Sequence, residues 1–339
     1  MLNDKNIETV QQLLHSSSPK KIVITTHHKP DGDAMGSSLG LYHYLIQLHH
    51  QVQVISPTDY PDFLWWLPGN NTVWEFPETE EASKQAIAEA DLIFCLDFNN
   101  LGRINEMGEV VRQSNALKVM IDHHLNAEGF ENAAYADTKA VATAELIYKF
   151  IVRMGDKEKI NLDSATCLYT GILTDSGSFK FNSTTPDVHH ITAELLEIGV
   201  KPYDIFENIF DTNRLNRLQF VGYCLLNKLK VLPEYNTAYI TITKEELKQF
   251  QITTGDTEGL VNYPLSIKGI KLACLIVDRT ERVKLSLRSK GDIAVNEICS
   301  KYFEGGGHKN ASGGHSFKTL DETLQIFLNA LPEIKVQLQ

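Results

Sequence analysis

Acidic and imidazole side chains recur at four places in the first 175 residues, each beside an apolar run. They are His27, Asp31 and Asp33 in HHKPDGD, Asp97 after LIFCL, Asp122-His123-His124 after KVMI, and Asp175 in GILTDSG. Charged groups next to buried segments are costly unless something compensates them. Four such places in one chain therefore predict a shared cation, bound by carboxylate and imidazole ligands.

Taken singly, three of these places also have an ordinary structural interpretation. Asp31 and Asp33 stand two residues apart and can address two adjacent metal ions, but PDGD is also good turn chemistry. Asp97 alone fits a helix cap or a turn. Asp175 alone fits the turn that ends a helix. Only the combination of all four places favours a metal site.

The run Asp122-His123-His124 is the strongest of the four signals. His123 suits a metal, and His124 suits proton transfer or contact with a phosphate. Oxygen-rich ligation with imidazoles and without thiolates favours Mn²⁺ or Mg²⁺ over a structural zinc. Two metals about 3.5–4 Å apart can share one carboxylate and activate water for in-line attack on phosphorus.

A second candidate site, for an anion, lies in the glycine-rich run GGGHKN at residues 305–310. Glycines let the backbone approach an anion and form a concave nest, although a flexible hinge is the alternative. Arg288-Ser289, at the end of the apolar run VKLSLRS, would add a guanidinium fork for a phosphate. A weaker phosphate signal is Gly36-Ser37-Ser38 at a predicted helix start.

Composition and charge narrow the class of protein. With 339 residues, the chain is long enough for two domains. Its net charge of −11 argues against a broad basic face for long duplex nucleic acid, but not against a short phosphorylated substrate. Residues 1–229 carry 18 Lys and Arg against 30 Asp and Glu, whereas residues 230–339 carry 14 against 13. The acidic part suits cations, and the neutral part suits an anion.

Three negative signals suggest a cytoplasmic protein without a membrane partner. No apolar run approaches the length of about 18 residues that a membrane span needs. The first residues lack the cationic start and apolar stretch of a signal peptide. The five cysteines are far apart and form no CxxC pair, which favours a reduced compartment.

The elements that must position these residues follow an alternating pattern. KIVITTH, VQVIS, LIFCLDF and KVMIDHH read as buried strands, with helical patterns between several of them. This predicts an α/β fold with a doubly wound, mainly parallel sheet, whose sites gather beyond the carboxyl ends of the strands. Beyond Pro233, further strands predict a smaller α/β domain with a mixed sheet. The expected bounds are 1–200 for the metal-binding catalytic domain, 201–232 for a helical linker and 233–339 for the substrate-binding domain.

The order HxxPDGDAMGS, Asp97, DHH, Asp175 and GGGHKNASGG is similar to the DHH-type phosphoesterases with their associated C-terminal domain. The similarity runs from about residue 20 to about residue 320. The chain length and the GGGH loop resemble the nanoRNase branch, the oligoribonuclease and 3′-phosphoadenosine-5′-phosphate (pAp) phosphatase enzymes.

The resemblance implies a role for each candidate residue. His27, Asp31 and Asp97 would hold one of two divalent ions, Mn²⁺ by preference or else Mg²⁺. Asp33, Asp97, His123 and Asp175 would hold the second ion, with Asp97 between the two. His124 would contact the scissile phosphate and help protonate the leaving group, and Asp122 would orient the two histidines. The substrate's terminal phosphate would be bound by Arg288, Ser289, Gly306, Gly307, His308 and Asn310.

The implied reaction is hydrolysis of very short RNA to mononucleotides, and of pAp to AMP, by a hydroxide that two metal ions activate. The expected partner is short single-stranded RNA or a nucleotide, and a homodimer is also considered. One alternative is an inorganic pyrophosphatase, which would have SRK where this chain has LRSK. Others are a linear-dinucleotide (pGpG-type) phosphodiesterase, a less favoured RecJ-type processive exonuclease, and an inactive nucleotide sensor.

Overall fold

The computed structural model describes residues 3–253 and 255–338 and divides into two compact units, Met1–Thr212 and Asn213–Gln339. The division falls within the stretch 201–232 that the sequence suggests as a linker. The domain bounds given above stay a prediction.

The first unit is built on a seven-stranded sheet. Its strands are β1 (Asn3–Lys5), β2 (Lys21–Thr26), β3 (Gln51–Ser56), β4 (Trp74–Glu75), β5 (Leu92–Leu96), β6 (Leu117–Asp122) and β7 (Ala133–Ala136). Their order is β1-β7-β6-β5-β2-β3-β4, and all neighbours are parallel except β1 and β7. The prediction of a mainly parallel sheet is confirmed.

Helices cover both faces of this sheet. They are α1 (Ile7–Leu14), α2 (Gly32–Gln47), α3 (Glu80–Glu89), α4 (Met107–Gln113), α5 (Thr143–Met154), α6 (Leu162–Asp175), α7 (Pro186–Glu197) and α8 (Pro202–Phe210). Successive residues of a strand point to opposite faces, so Ile22 and Ile24 join one core cluster while Val23 joins another. Apolar cores on both faces explain why the central strands are apolar without alternation.

Helices α2 and α6 pack backbone against backbone. A Cβ on Gly36 would lie 2.5 Å from the Cys167 carbonyl oxygen and 2.8 Å from the Gly171 nitrogen. Ser37 and Ser38 are fully buried beside Gly36 and donate hydrogen bonds to the Ala34 carbonyl. The interpretation of Gly36-Ser37-Ser38 as a phosphate-binding helix start is therefore wrong, because helix α6 covers this turn and α2 begins earlier, at Gly32.

The second unit has a six-stranded mixed sheet. Its strands are β8 (Leu229–Leu232), β9 (Thr237–Ile242), β10 (Leu272–Asp278), β11 (Val283–Ser289), β12 (Gly306–Gly307) and β13 (Ala311–Ser316), in the order β12-β13-β11-β10-β9-β8. Of the strand pairs formed by the described residues of this unit, β9 and β10 alone are parallel. The helices are α9 (Leu215–Tyr223), α10 (Lys244–Gln249), α11 (Asn262–Leu265), α12 (Val295–Tyr302), α13 (Leu320–Ala330) and α14 (Lys335–Leu338). The predicted mixed sheet is confirmed.

Two stretches of this unit differ from the expected local structure. The glycine-rich run forms the hairpin β12–β13 and is not an isolated loop. The end of the predicted helical linker forms strand β8, since its residues 229–232 pair with β9 along the sheet edge. Within the residues that the structure describes, no helix is both long and apolar enough to cross a membrane.

Candidate metal centre

The acidic and imidazole residues meet at one edge of the first unit's sheet. Strands β6, β5 and β2 are adjacent and parallel, so their carboxyl ends share an edge. His27 follows β2, Asp97 follows β5, and Asp122 is the last residue of β6. Helix α2 brings Asp33 to the same edge at its first turn, and α6 brings Asp175 as its last residue.

The first group of potential ligands consists of His27, Asp31 and Asp97, whose ligand atoms lie within 4.8 Å of one another. Nε2 of His27 lies 3.3 Å from Oδ2 of Asp97 and 3.9 Å from Oδ1 of Asp31. Nδ1 of the same ring lies 2.9 Å from the His28 carbonyl oxygen, which can only accept a hydrogen bond. In the neutral ring Nδ1 therefore carries the proton, and the Nε2 lone pair faces the carboxylates.

The second group consists of Asp33, His123 and Asp175, again within 4.8 Å. Nε2 of His123 lies 3.8 Å from Asp33 Oδ2 and 3.4 Å from Asp175 Oδ2. Its Nδ1 lies 3.1 Å from the Ala140 carbonyl oxygen, so this ring also directs its Nε2 lone pair into the cluster. Both histidines thus have the orientation that a metal ligand needs.

Asp97 lies between the two groups. Its Oδ1 is 3.4 Å from His123 Nε2, while its Oδ2 is 3.3 Å from His27 Nε2. The backbone at Asp97 is left-handed, with φ of 62°, so the chain turns sharply as strand β5 ends. Aspartate tolerates this conformation better than most residues. The turn directs the carboxylate to the middle of the cluster.

The start of helix α5 contributes groups that sequence reasoning missed. Thr143 Oγ1 donates to Asp97 Oδ1 at 2.9 Å, and its backbone N–H donates to Asp33 Oδ2 at 2.6 Å. The Ala144 N–H donates to Asp33 Oδ1 at 2.9 Å. The usable sequence signal for this helix start was the acidic Glu145 in its first turn, directly before an apolar run.

Asp122 and His124 form a further pair that adjoins this cluster, since Nδ1 of His124 lies 3.6 Å from Oδ1 of Asp97. Asp122 is buried, and its Oδ1 lies 2.8 Å from Nδ1 of the partly exposed His124. The rings of His123 and His124 meet edge to face with centroids 4.9 Å apart. A neutral His124 that donates from Nδ1 to Asp122 directs its Nε2 away from this carboxylate.

Electrostatics in the cluster are dominated by crowded, buried carboxylates. Burial and the charges of Asp97 and Asp175 hold the pKa of Asp33 well above its usual range. Burial would also raise the pKa of Asp97, but hydrogen bonds from His123 and His27 outweigh it and hold that pKa low. These carboxylates therefore compete for the positive charge that the two imidazoles provide.

The neighbouring carboxylates raise the pKa of both imidazoles. Burial lowers the pKa of His123, but Asp97 and Asp175 outweigh burial and raise that pKa well above its ordinary value. The pKa of His27 is raised in the same way, chiefly by Asp97. Such negative charge in a buried place favours cations, and the donor set of carboxylate oxygens and imidazoles suits divalent ions of the Mn²⁺ or Mg²⁺ type. The residues therefore fit a two-metal centre, although the individual ligand roles stay a prediction.

The candidate anion-binding residues lie together in the second unit. The Asn310 amide donates to Ser289 Oγ and to the Gly291 carbonyl, at 2.9 Å each, and Ser289 Oγ donates to the Ile293 carbonyl at 2.7 Å. The buried Ser289 and Asn310 thus tie the end of β11 to the β12–β13 turn. Arg288, half-buried on β11, donates to the Leu287 carbonyl at 3.0 Å.

The glycine hairpin supplies the remaining candidates. Gly306 and Gly307 are exposed on β12, and the His308 N–H donates to the Ala311 carbonyl at 2.8 Å. The Lys309 ammonium pairs with Asp292 at 2.8 Å. The contacts of all these residues with a substrate stay a prediction.

Two family models match the chain in the order of its two units. The model of the DHH family, N-terminal domain, matches residues 21–172, and that of the DHHA1 domain matches residues 235–334. The bifunctional oligoribonuclease and PAP phosphatase NrnA of Thermus thermophilus is 31% identical over 302 residues, which cover 88% of this chain and 85% of the relative. The chain belongs to the DHH/DHHA1 phosphoesterase family.

Two further relatives agree with this membership. The NrnA protein of Bacillus subtilis, with the same descriptive name, is 29% identical over 90% of this chain and 92% of its own length. The crystal structure of an exopolyphosphatase-related protein from Bacteroides fragilis superposes with a TM-score of 0.93 at 42% identity, covering 98% of this chain and 97% of that one. The fold of this DHH-family chain is thus similar to that of a solved structure over nearly the full length of both chains.

Proposed function

We propose that this chain is a metal-dependent phosphoesterase that hydrolyses very short RNA to mononucleotides and removes a phosphate from pAp to yield AMP. The observation that carries the proposal is the position of Asp97 between two groups of His and Asp ligands. A carboxylate shared by two ligand groups is the arrangement that two-metal hydrolysis of phosphate esters requires.

The first ligand group would consist of His27, Asp31 and Asp97 and the second of Asp33, Asp97, His123 and Asp175. When bound there, two divalent ions, by preference Mn²⁺, would neutralise charge on the phosphoryl group and activate water. The Thr143 hydroxyl, which donates a hydrogen bond to Asp97 Oδ1, would hold this carboxylate in position.

The pair of Asp122 and His124 would handle the leaving group. The 2.8 Å contact with Asp122 keeps the ring of His124 in one orientation. Nε2 of His124 would then contact the scissile phosphate and donate a proton to the departing ribose oxygen. His124, which belongs to neither ligand group, would therefore act as the general acid.

The substrate class is supported by the named relatives and by the second unit. Two relatives that share about nine-tenths of this chain carry the names oligoribonuclease and PAP phosphatase. Arg288, His308 and the glycine hairpin would receive the terminal phosphate of the nucleotide. A guanidinium beside exposed backbone N–H groups is a common way to bind a phosphate.

Product analysis by chromatography tests the proposal. With Mn²⁺ present, the purified chain is offered a 5′-labelled RNA of about two to five residues, a much longer RNA, pAp and pyrophosphate in parallel. We expect fast conversion of the short RNA to mononucleotides, slow attack on the long RNA, and release of AMP from pAp.

The Asp97→Asn variant, purified in the same way, controls for a contaminating nuclease and should be inactive on every substrate. Turnover of pyrophosphate alone would contradict the proposal and identify a pyrophosphatase. Absence of any turnover, together with retained nucleotide binding, would identify a sensor.

A further inference from the structure

The second unit's sheet has one face that is only half covered. Its other face packs against α12 and α13 through Leu285 and Leu287 of β11. On the half-covered face, Ala273, Leu275 and Val277 of β10 are buried in an apolar cluster with the segment around Leu260. The alternating positions on β11 are less covered than Leu285 and Leu287, since Lys284 is exposed and Ser286 and Arg288 are half-buried.

Cationic side chains lie along this open part of β11. Lys284, Ser286 and Arg288 share the face, and residues four apart on a strand are separated by about 13 Å. Arg279 and Arg282 add two guanidinium groups at the turn between β10 and β11. Arg279 is held there by a 2.8 Å hydrogen bond to Thr257 Oγ1.

Lys284 is the central member of this row. Among the described residues, its ammonium has no hydrogen-bond or ion-pair partner. Burial by the surrounding protein lowers the pKa of Lys284, and the nearby charges of Arg279, Arg282 and Arg288 lower it further, against the opposing effect of Glu258. An anion would relieve the repulsion between these cations.

The surface beside this row is bare. Gly313 of β13 lies opposite Ser286, and Gly306 of β12 lies opposite Gly313. Among the described residues, and apart from its chain neighbours, no atom lies within 4 Å of the position that a Cβ on Gly306 would take. At the level of Ser286, strands β11, β13 and β12 therefore carry only Ser286, Gly313 and Gly306 on this face, which leaves room for flat groups such as a ribose or a base.

We propose that the open face from Arg288 to Lys284 binds the sugar-phosphate backbone of a single-stranded oligonucleotide, with Lys284 as a second phosphate subsite. The inference rests on the proposed function, in which the terminal phosphate is bound near Arg288. Lys284 then contacts a phosphate further along the strand, which a mononucleotide or dinucleotide does not reach. This face consequently sets the preference for oligomers of a given length.

Binding by fluorescence anisotropy tests the inference without turnover. The full-length chain is titrated in EDTA against 3′-fluorescein RNAs with a 5′-phosphate, one of two residues and one of five. For Lys284→Gln we expect roughly tenfold weaker binding of the longer RNA and unchanged binding of the dinucleotide. The slope of log K against log salt should fall by about 0.7 for the longer RNA.

Matched variants separate this effect from a general loss of charge. Lys230 is an exposed lysine on β8, at the opposite edge of the same sheet. It pairs with Tyr239, whose side chain packs on the face that α12 and α13 cover, so Lys230 lies on that other face. Lys230→Gln should bind both RNAs as the unsubstituted protein does, and Lys284→Arg should largely restore binding. Equal weakening for both lengths, or no difference between Lys284→Gln and Lys230→Gln, would overturn the inference.

The two proposals fail in different ways. Hydrolysis of short RNA with normal length dependence in Lys284→Gln would leave the proposed function intact and remove the subsite. Length-dependent binding through Lys284 without any hydrolysis would do the reverse. Equally strong, Lys284-dependent binding of an acidic peptide would show a general anion surface and overturn the assignment to nucleic acid.

Discussion

Gly36 of α2 and Gly171 of α6 are in backbone contact, and a Cβ on Gly36 would lie 2.8 Å from the Gly171 nitrogen. A Cβ on Gly171 would in turn lie 2.9 Å from Asp33 Oδ1, one helical turn before Gly36. The same helix pair supplies Asp33 and, at the end of α6, Asp175. Close packing of two glycines thus sets the distance between two potential metal ligands.

Gly36→Ala should destabilise the protein, because the added methyl group would clash with the Cys167 carbonyl oxygen at 2.5 Å. We expect the free energy of unfolding to fall by about 1–3 kcal/mol, as for other overpacked cores. Chemical denaturation of the purified variant measures this change.

Gly222→Ala is the matched control. Gly222 lies within helix α9, and apart from the backbone of its own helix no atom of the part of the chain that the structure describes lies within 4 Å of its Cβ position. Alanine there should stabilise by roughly 0.5–1 kcal/mol, since it favours the helix. Equal stability of Gly36→Ala and the unsubstituted protein would refute the close-packing argument.

Asp97→Asn should abolish phosphoesterase turnover and weaken Mn²⁺ binding. Asparagine fits the same space and tolerates the positive φ of 62°, so the variant removes charge without straining the turn. The loss of Mn²⁺ affinity should exceed the ~10–100-fold that follows substitution of a residue that only hydrogen-bonds to a metal ligand. Calorimetric titration with Mn²⁺ and a turnover assay give the two readouts.

The exposed Asp62 of the same unit provides the control for loss of one carboxylate. Asp62→Asn should leave Mn²⁺ binding and turnover unchanged. Appreciable activity in Asp97→Asn would remove Asp97 from its bridging role.

Thr143→Val should weaken Mn²⁺ binding about 10–100-fold. The substitution keeps the shape of the side chain but removes the hydroxyl that donates to Asp97 Oδ1 at 2.9 Å. Thr143→Ser, which keeps the hydroxyl, should restore most of the affinity. If Thr143→Val and Thr143→Ser bind Mn²⁺ equally, the hydroxyl does not position Asp97.

Arg288→Ala should raise KM for a short RNA roughly tenfold or more with little change in kcat, because it removes a charge-assisted contact to phosphate. Arg288→Lys should have an intermediate KM, since lysine keeps the charge but not the planar fork. Steady-state kinetics with all three proteins checks this order. An unchanged KM in Arg288→Ala would exclude this residue from the substrate site.

His50 should make the protein less stable at low pH. The ring is buried, its Nδ1 accepts from the Lys20 N–H at 3.2 Å, and its Nε2 donates to the Leu14 carbonyl at 3.1 Å. Burial lowers the pKa of His50, so the folded state binds its proton less readily than the unfolded chain does. The contribution of His50 to stability is then full above the unfolded pKa of about 6.5 and is lost as pH falls below it.

Denaturation at several pH values between about 5 and 8, with saturating Mn²⁺ to hold the metal-site histidines constant, measures this dependence. The comparison is with His50→Asn, which cannot titrate in this range. The difference in unfolding free energy between the two proteins should shrink as pH falls. A constant difference across the range would mean that His50 has the same pKa in the folded and unfolded states, and would contradict the prediction.

Much of the metal centre could be predicted from the chain alone. The apolar runs before His27, Asp97 and the DHH residues identify parallel strands, and parallel strands align their carboxyl ends by geometry. Local pattern thus determines which residues share the edge of the sheet. The residue types then determine the kind of cation, because carboxylates and imidazoles without thiolates favour hard divalent ions.

Only the tertiary structure decided the contacts between elements that are distant in the chain, because such contacts leave no local pattern in the sequence. The approach of Gly36 to Gly171 buried a turn that alone resembled a phosphate-binding helix start. Thr143 donates hydrogen bonds to Asp33 and Asp97, although it is 110 and 46 residues away from them in the chain. The glycine run became strand β12 through pairing with β13, and Lys284 acquired its cationic neighbours from the turn beside it and from β11. Each of these outcomes depends on which elements pack together, and packing is a property of the whole fold.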